Sequence, residues 1–535
     1  MNRRPTTSPS RQGGGTLPTG TEWKREKSTQ WRSNLPSLKG GARGWVFFLI
    51  LSLQPASAAH TLTLDETVRL ARQRSADAAV ALNELKAAYW EYRSFRADLL
   101  PEITLSGNLP TYNKRYNAYQ TDEGSYTYVR SNYLEASSTL RAVQKLWPTG
   151  GTLSLSTSID FLRQFGTGGE HRFMAVPLGL TLQQQLFAAN EVKWRCRIEP
   201  LRYREAKANF LADTEEVTMR AVTYYFNLLL ARENLSTARQ NYQNAQKLYE
   251  VAKVKRQMGS ISENDLRQMR LNLLQAESTL TNSETQLNSC RFRLATYLDL
   301  PDSIDIAYDD LSADVRPRPV SYEEALERAM ENNPIVLNLE RRTLEADYSV
   351  ANAKGNRRSM SLYASIGYTG QGREIRNAYG PLRDYQTVEV GLSIPLLDWG
   401  KRRGRVRVAE SNREMVQSLA RQERQSFEQN LYILVEELNN QSRQLLIAQE
   451  SDSIAQRRYE TNIATYLAGS ISTLELNDAQ QSKDQARQRR IEQLHQYWYR
   501  YYQLRSITLW DFDRNENINA DIEALVKEKE ESVAR

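Results

Sequence analysis

Two carboxylates, Glu475 and Asp478, are the residues with the clearest potential for chemistry, because a spacing of three places them on one face of a helix. Such a pair can perform acid–base catalysis or bind a cation. No nucleophile or metal-ligand cluster lies near them, and the three histidines (His60, His171 and His495) are too scattered for a metal site or a triad. We therefore expect no catalytic residues, metal or cofactor.

A four-residue sequence occurs twice, 210 residues apart, as Gly259-Ser260-Ile261-Ser262 and as Gly469-Ser470-Ile471-Ser472. Glycine is common just after the C-terminus of a helix, and serine is a preferred N-cap of the next helix. Each copy is therefore predicted to be a turn between two helices. Such a turn can serve only to reverse the chain, or it can also contact a partner.

These turns belong to a longer internal repeat. Residues 63–71 resemble residues 321–329 at an offset of 258, whereas the turns are offset by 210. The difference between 258 and 210 gives the first unit 48 extra residues, located before position 187. We predict the following segments: a leader over 1–58, a first repeat over 59–310, a second repeat over 311–512 and a charged tail over 513–535.

Each repeat has the same order of elements, namely a short helix, a strand region and a helical hairpin. These elements are predicted over 64–98, 102–187 and 188–299 in the first repeat, and over 322–355, 361–397 and 400–508 in the second. The strand regions alternate apolar and polar residues. In the hairpin arms, apolar residues recur at spacings of three and four, which predicts coiled-coil-like helices about 100 Å long.

The strand regions constrain the assembly. Segments of about eight to ten alternating residues are typical of tilted membrane strands. Two strand pairs per chain cannot close a barrel, and open sheet edges are not tolerated in lipid. We therefore expect three chains to pool four strands each in a twelve-stranded β-barrel, with the helical arms forming a tube beneath it. The predicted fold class is a mixed α and β membrane protein with an internal tandem repeat.

The first 58 residues have the features of a secretory leader. They contain nine Lys and Arg against two Glu, so they account for the net charge of +7 of the whole chain. An apolar run over 45–53, too short to span a bilayer as a helix, precedes the small residues Ala56-Ser57-Ala58. We expect the exported chain to begin near Ala59 and to lack transmembrane helices. A nucleic-acid partner is not expected, because the remaining residues carry almost no net charge.

The duplicated plan, the paired turns and the junction Ile394-Pro-Leu-Leu-Asp-Trp-Gly400 together resemble the TolC family of outer-membrane efflux and secretion channels. The resemblance covers about residues 60–512. It implies a homotrimer in the outer membrane of a Gram-negative bacterium, with a tunnel that extends into the periplasm. The implied partners are outer-membrane lipid, a periplasmic adaptor protein that contacts the two four-residue turns, and an inner-membrane pump of the RND or ABC type.

The resemblance also implies a pore gate near the second turn. Tyr466, Glu475 and Asp478 stand where the family places its gate tyrosine and its acidic residues, and Asp265 stands at the acceptor of that tyrosine. A hydrogen bond from a phenol to a carboxylate is charge-assisted, so a few could hold helix tips together. A threefold axis would also turn each acid into a ring that favours cations. Ile471 replaces the family's gate arginine, and ordinary solvated helix residues remain the alternative.

We predict a passive duct that exports drugs, other toxic small molecules or proteins, as part of a tripartite efflux pump or a type I secretion system. The alternative is an exported coiled-coil scaffold or adhesin without a pore, and an enzyme is the third option. Strands at matching places in both repeats favour the duct. The 48 extra residues, which include Trp147-Pro-Thr-Gly-Gly151, would form either an added hairpin or an extracellular loop.

Overall fold

The computed structural model describes residues 60–518, apart from 123, 167–168, 302–303, 307–318, 358–359, 381, 393–396 and 468–469. The leader predicted over 1–58 and the tail beyond Ile518 lie outside the described residues. So do Gly469 and residues 394–396 of the junction.

The first half of the described chain alternates short helices, long strands and one helical hairpin. Its elements are β1 (His60–Leu62), α1 (Leu64–Arg74), α2 (Ala76–Ala97), β2 (Glu102–Gln120), β3 (Tyr126–Lys145), β4 (Thr152–Gln164), β5 (His171–Leu186), α3 (Glu191–Gln257), α4 (Glu263–Leu298) and β6 (Ile304–Ile306).

The second half has a related order with fewer strands. Its elements are α5 (Tyr322–Asn332), α6 (Pro334–Asn356), β7 (Met360–Gly372), α7 (Ile375–Ala378), β8 (Arg383–Leu392), α8 (Lys401–Leu467), α9 (Thr473–Thr508), β9 (Trp510–Asp511) and β10 (Glu516–Asn517). The predicted mixed α and β architecture is therefore confirmed.

Each of the opening helices, predicted over 64–98 and 322–355, is in fact two helices. The first breaks at Ser75, whose backbone is extended (φ −63°, ψ 148°) and whose hydroxyl accepts a hydrogen bond from the amide of Ala78 in α2. The second breaks at Asn333, directly before Pro334. Both predictions overlooked a polar N-cap inside a continuous helical pattern. A new helix begins at these places because serine, asparagine and proline each favour a helix start over a helix interior.

One six-stranded antiparallel sheet contains the strands β2, β3, β4, β5, β7 and β8, in that order. The prediction of four strands per chain is therefore wrong. The 48 extra residues of the first repeat form sheet, and a meander of four strands (β2 to β5) stands where the second repeat has a single pair. Every neighbouring pair of strands is antiparallel, so short turns suffice to join consecutive strands.

The long helices α3 and α8 contain 67 residues each, and the returning helices α4 and α9 contain 36 each. At 1.5 Å per residue, the longer pair would extend about 100 Å. In the described part of the chain, no helix is apolar enough over a sufficient length to cross a bilayer.

The main core lies where the four long helices pack against α1 and α5. Its largest fully buried members include Tyr225, Phe226, Leu294, Leu298, Leu431, Leu445 and Leu504. Burial of each such side chain stabilises the fold by about 1.5–3 kcal/mol.

A buried carboxylate, Glu215, lies beside this core. Its oxygens are 2.7 Å from a guanidinium nitrogen of Arg72 and 3.3 Å from one of Arg505. Because a buried charge without a partner costs about 3–5 kcal/mol, this triad fixes α1 and α9 against α3.

Candidate functional site: the hairpin tips and the two faces of the sheet

The first hairpin reverses direction at Gly259, whose φ of +74° lies in the left-handed region that favours glycine. The amide of Ser260 donates to the carbonyl of Lys255 at 2.9 Å, and the amide of Gly259 donates to that of Arg256 at 3.0 Å. These two bonds form a Schellman motif, which satisfies the last carbonyls of α3. The turn predicted over 259–262 is thus built from the residues that the sequence singled out.

Helix α4 begins with a complete capping box. The hydroxyl of Ser262 accepts from the amide of Asp265 at 3.1 Å, and the carboxylate of Asp265 accepts from the amide of Ser262 at 3.0 Å. The Ser262 hydroxyl also donates to that carboxylate at 2.7 Å, and these bonds lower the pKa of Asp265. Asp265, predicted as a gate acceptor, is therefore engaged as a helix cap.

The second tip repeats this chemistry. The amide of Ser472 donates to a carboxylate oxygen of Glu475 at 2.7 Å, and the amide of Glu475 donates to the hydroxyl of Ser472 at 3.3 Å. Hydrogen bonds from the Ser472 backbone and then its side chain lower the pKa of Glu475. The amide of Ser470 donates to the carbonyl of Thr465 at 3.1 Å, which corresponds to the bond from Ser260 to Lys255 in the first tip.

The predicted gate residues do not form one cluster among the described side chains. Asp478 pairs with Arg458 of α8 at 2.7 Å, and Glu475 serves the α9 cap. The backbone of Tyr466 lies in the last turn of α8, but its side chain is outside the described residues.

A small apolar cluster packs the second tip against the first hairpin, and it was not predicted from sequence. Tyr459, Leu476 and Ala479 are buried, and Ile471 packs against them together with Leu248 of α3. The residue at the position of the family's gate arginine is thus part of a hydrophobic contact between the two hairpins.

Polar side chains extend the contact between the two hairpins beyond the apolar cluster, and these contacts were not predicted from sequence either. Asn244 of α3 donates to the phenol oxygen of Tyr459 at 3.0 Å, and Asn241 donates to Asp484 at 2.7 Å. The ammonium of Lys483, which is almost fully buried, lies 4.5 Å from the ring centroid of Tyr459 and 3.1 Å from the Asp484 carboxylate. A buried ammonium requires such partners, because it has lost its water.

The two faces of the six-stranded sheet differ in chemistry, as the strand register shows. Directly paired residues share a face, so one row crosses five strands through Ile103, Ala142, Leu155, Leu180 and Ile366. This side is called the apolar face. Four of these five residues are solvent-exposed within the chain, with Ile103 at 71%, and Ala142 is half-buried.

The opposite side of the same strands is called the polar face. The adjacent row passes through Thr104, Arg141, Ser156, Gly179 and Gly367. Two residues after Gly179 on β5, the hydroxyl of Thr181 lies 3.3 Å from that of Ser365 on this face. Alternation of an exposed apolar side with a polar side is typical of strands that separate lipid from a water-filled lumen.

Residues 67–299 and 325–508, more than half of the chain, match the family described as OEP, outer membrane efflux protein. The chain belongs to this family. The resemblance to outer-membrane efflux channels seen in the sequence is therefore confirmed. No curated protein matches the chain at a significant level.

Several solved structures share the fold of this outer membrane efflux protein. The CmeC outer membrane channel of Campylobacter jejuni has a TM-score of 0.61 at 17% identity, over 92% of this chain and 97% of its own. A membrane protein from Pseudomonas aeruginosa has a TM-score of 0.59 at 16% identity, over 84% and 91% of the two chains. The MtrE channel of Neisseria gonorrhoeae, in its open state, has a TM-score of 0.53 at 14% identity, over 83% and 88%.

In this efflux protein, the turn that joins β3 to β4 is fastened to the start of α3. The side-chain amide of Asn190 donates to the carbonyls of Trp147 and Pro148 at 2.8 and 3.1 Å, while its oxygen caps α3 by accepting from the amide of Lys193. Gly150 has a φ of +75° and approaches Asn190 closely. The extra strands are therefore tied into the region where sheet and helices meet, called the helix end of the sheet.

Proposed function

We propose that three copies of this chain form a passive export duct across the outer membrane and the periplasm. The observation that carries this proposal is the division of the sheet into an apolar and a polar face. An exposed aliphatic face cannot remain in water at low cost, whereas in a bilayer it would contact lipid. The polar face would then line the pore.

The number of strands changes the expected barrel. Three chains with six strands each would give eighteen strands, in place of the twelve expected from sequence. The diameter of a barrel grows roughly linearly with the strand number, so this barrel would be about half as wide again. Its open edges, β2 and β8, would pair between neighbouring chains and leave no edge in lipid.

The helices would continue the duct into the periplasm. Four long helices per chain would give twelve in the trimer, which would form a tunnel about 100 Å long. Because the sequence contains no P-loop, the energy for export would come from an inner-membrane pump of the RND or ABC type. Drugs and other small toxic molecules, or proteins, would be its cargo.

The hairpin tips would be the site of adaptor contact. Residues 259–262 and 470–472 are largely exposed at the ends of the two hairpins, and the helix ends that they join are already capped by hydrogen bonds. A periplasmic adaptor could therefore bind there without unfolding the helix ends. Tyr466, Asp265, Glu475 and Asp478 would form the gate, and Glu475 would have to exchange its cap bond for a bond across the pore.

Electron microscopy of the full-length protein extracted from outer membranes tests the proposal. We expect a threefold particle with an eighteen-stranded barrel and a hollow tube of about 100 Å. A monomer or a solid rod without a lumen would support the alternative of a coiled-coil scaffold. A threefold particle with twelve strands would retain the duct and reject the wider barrel.

A further inference from the structure

The apolar face changes chemistry toward the free end of the sheet, opposite the helix end. Two aromatic rings, Phe161 and Phe173, follow the aliphatic rows, with ring centroids 5.0 Å apart. In the next row, Arg163 lies between His171 and Leu134, and Leu134 is paired with Tyr112. The aliphatic surface thus ends in rings and then in a cation within a few residues.

Two more cations continue this face on the long hairpin β2–β3. Lys114 is paired with Asn132, and Arg130 is paired with Tyr116. The register places both on the same side of the sheet as Arg163. Lys114, Arg130 and Arg163 together are called the basic patch, and all three are exposed.

The spacing allows the three cations to act on one ligand. They lie on three neighbouring strands and within three successive rows of paired residues. With strands about 4.8 Å apart and rows about 7 Å apart, their Cα atoms fall within about 15 Å of one another. Long lysine and arginine side chains can cover much of that distance.

The patch lacks acidic partners in the described part of the chain, where no ion pair joins these three cations to a carboxylate. The acids on the same strands, Glu102, Glu135 and Asp160, are in register with the polar face. Arg163 instead lies 5.3 Å from the ring centroid of Phe165, which contacts the ring of Tyr112. The cations are therefore free to pair with anions from outside the chain.

We propose that the basic patch binds the phosphate groups of a glycolipid in the outer leaflet, and this inference rests on the proposed insertion of the sheet in the membrane. Phosphates of a lipid headgroup lie where hydrocarbon ends, which is where this face changes from aliphatic to aromatic to cationic. Arginine and lysine form charge-assisted hydrogen bonds with phosphate. The exposed rings of Tyr112 and Tyr116 flank the cations and offer amphipathic surface to the sugars.

The chain offers a matched control for a test of this site. Arg115 is exposed, like its neighbour Lys114, but it faces the polar side because successive residues of a strand alternate. Loss of the same charge from the same strand therefore distinguishes the patch from a general effect of net charge.

The experiment uses the full-length protein in phosphatidylcholine vesicles that contain bisphosphorylated lipid A or its phosphate-free analogue. Native mass spectrometry measures how much glycolipid remains bound after extraction, and single-channel recording confirms insertion. We expect the wild type and Arg115→Gln to retain the phosphorylated lipid, and Lys114→Gln, which removes the same single charge from the same strand, to retain less than Arg115→Gln. The triple variant Lys114→Gln, Arg130→Gln, Arg163→Gln should retain at least about tenfold less while conducting normally, because each lost pair removes a charge-assisted bond.

Three results would overturn the inference. The triple variant could retain as much phosphorylated lipid as the wild type, or Arg115→Gln could lose as much of it as the triple variant. The wild type could also bind the phosphate-free lipid as well as the phosphorylated one. Competition by millimolar inorganic phosphate that fully displaces the lipid would assign the patch to soluble anions instead. If the wild type conducts but retains no lipid, only the glycolipid site fails. If the wild type neither inserts nor conducts, the proposed duct fails.

Discussion

The two hairpin tips share their cap chemistry but differ in how they are held. Ser262 with Asp265 and Ser472 with Glu475 form equivalent capping boxes. Among the described residues, the second tip has a buried cluster in which Leu476 and its neighbours contact Leu248 of α3, whereas the buried side chains near the first tip, Ala252 and Met269, belong to no such cluster. Local hydrogen bonds can thus be duplicated with the sequence, whereas attachment to the body depends on contacts that each copy acquires separately.

The largest effect is expected where the two tips are alike. Replacement of Ser260 or Ser470 by tryptophan should abolish export and leave trimers in the membrane, because the bulky ring would obstruct adaptor docking without disturbing the core. An efflux assay with quantified membrane trimers measures this. Tryptophan at exposed Leu274, farther along α4, is the control and should export normally. Normal export by both tip variants would remove the tips from the adaptor interface.

The difference between the tips predicts the next largest effect. Leu476→Ala should destabilise the second tip by about 2–5 kcal/mol, since it leaves a cavity in a buried cluster. Leu274→Ala, farther along α4 of the first hairpin, should change stability by less than about 0.5 kcal/mol, because that side chain is exposed. Amide hydrogen exchange along α4 and α9 measures both. Equal effects would mean that the two tips are anchored alike in the assembled protein.

Removal of the shared caps should have a smaller and equal effect. Ser262→Ala and Ser472→Ala should each destabilise the start of their helix by about 1 kcal/mol, or about fivefold in local opening. Hydrogen exchange in the first turns of α4 and α9 reports this change. A much larger effect at Ser472 would indicate that the cap and the buried cluster act together.

The proposed gate predicts a difference in conductance. Tyr466→Phe should raise the conductance of the isolated trimer, because it removes the phenol that would bind a carboxylate across the closed pore. Planar-bilayer recording measures the change. Tyr459→Phe is the matched control, since its phenol bonds Asn244 within the same chain. Unchanged conductance of the Tyr466 variant would count against the gate.

Acid should weaken both tips by a common mechanism. The folded-state pKa values of Asp265 and Glu475 are lowered by their cap hydrogen bonds. The two carboxylates therefore contribute their full share of tip stability at neutral pH. This stability is lost as the pH falls below the usual carboxyl pKa of about 4 and then through the lower pKa values of the folded state. Exchange in the first turns of α4 and α9 should accelerate there. Ser262→Ala and Ser472→Ala should show a weaker dependence on pH.

The features that could be predicted from sequence are those that depend on residues close together in the chain, namely the turns, their helix caps and the long helices. A Gly-Ser-Ile-Ser turn specifies its own Schellman motif and cap, and helical periodicity over tens of residues has few other interpretations. The strand number was missed although β4 alternates apolar and polar residues, because the 48 extra residues around the turn at Trp147 read equally well as an added hairpin or as an extracellular loop. Pairs such as Asn244 with Tyr459 join residues more than two hundred positions apart, so no local pattern indicates them.

The attachment of the β3–β4 turn to Asn190 has an evolutionary consequence. An antiparallel hairpin begins and ends at the same level, so its insertion leaves the directions of β2 and β5, and hence of α2 and α3, unchanged. In the proposed duct, the width of the barrel could therefore change by whole hairpins, in steps of two strands per chain, without a change in the long helices.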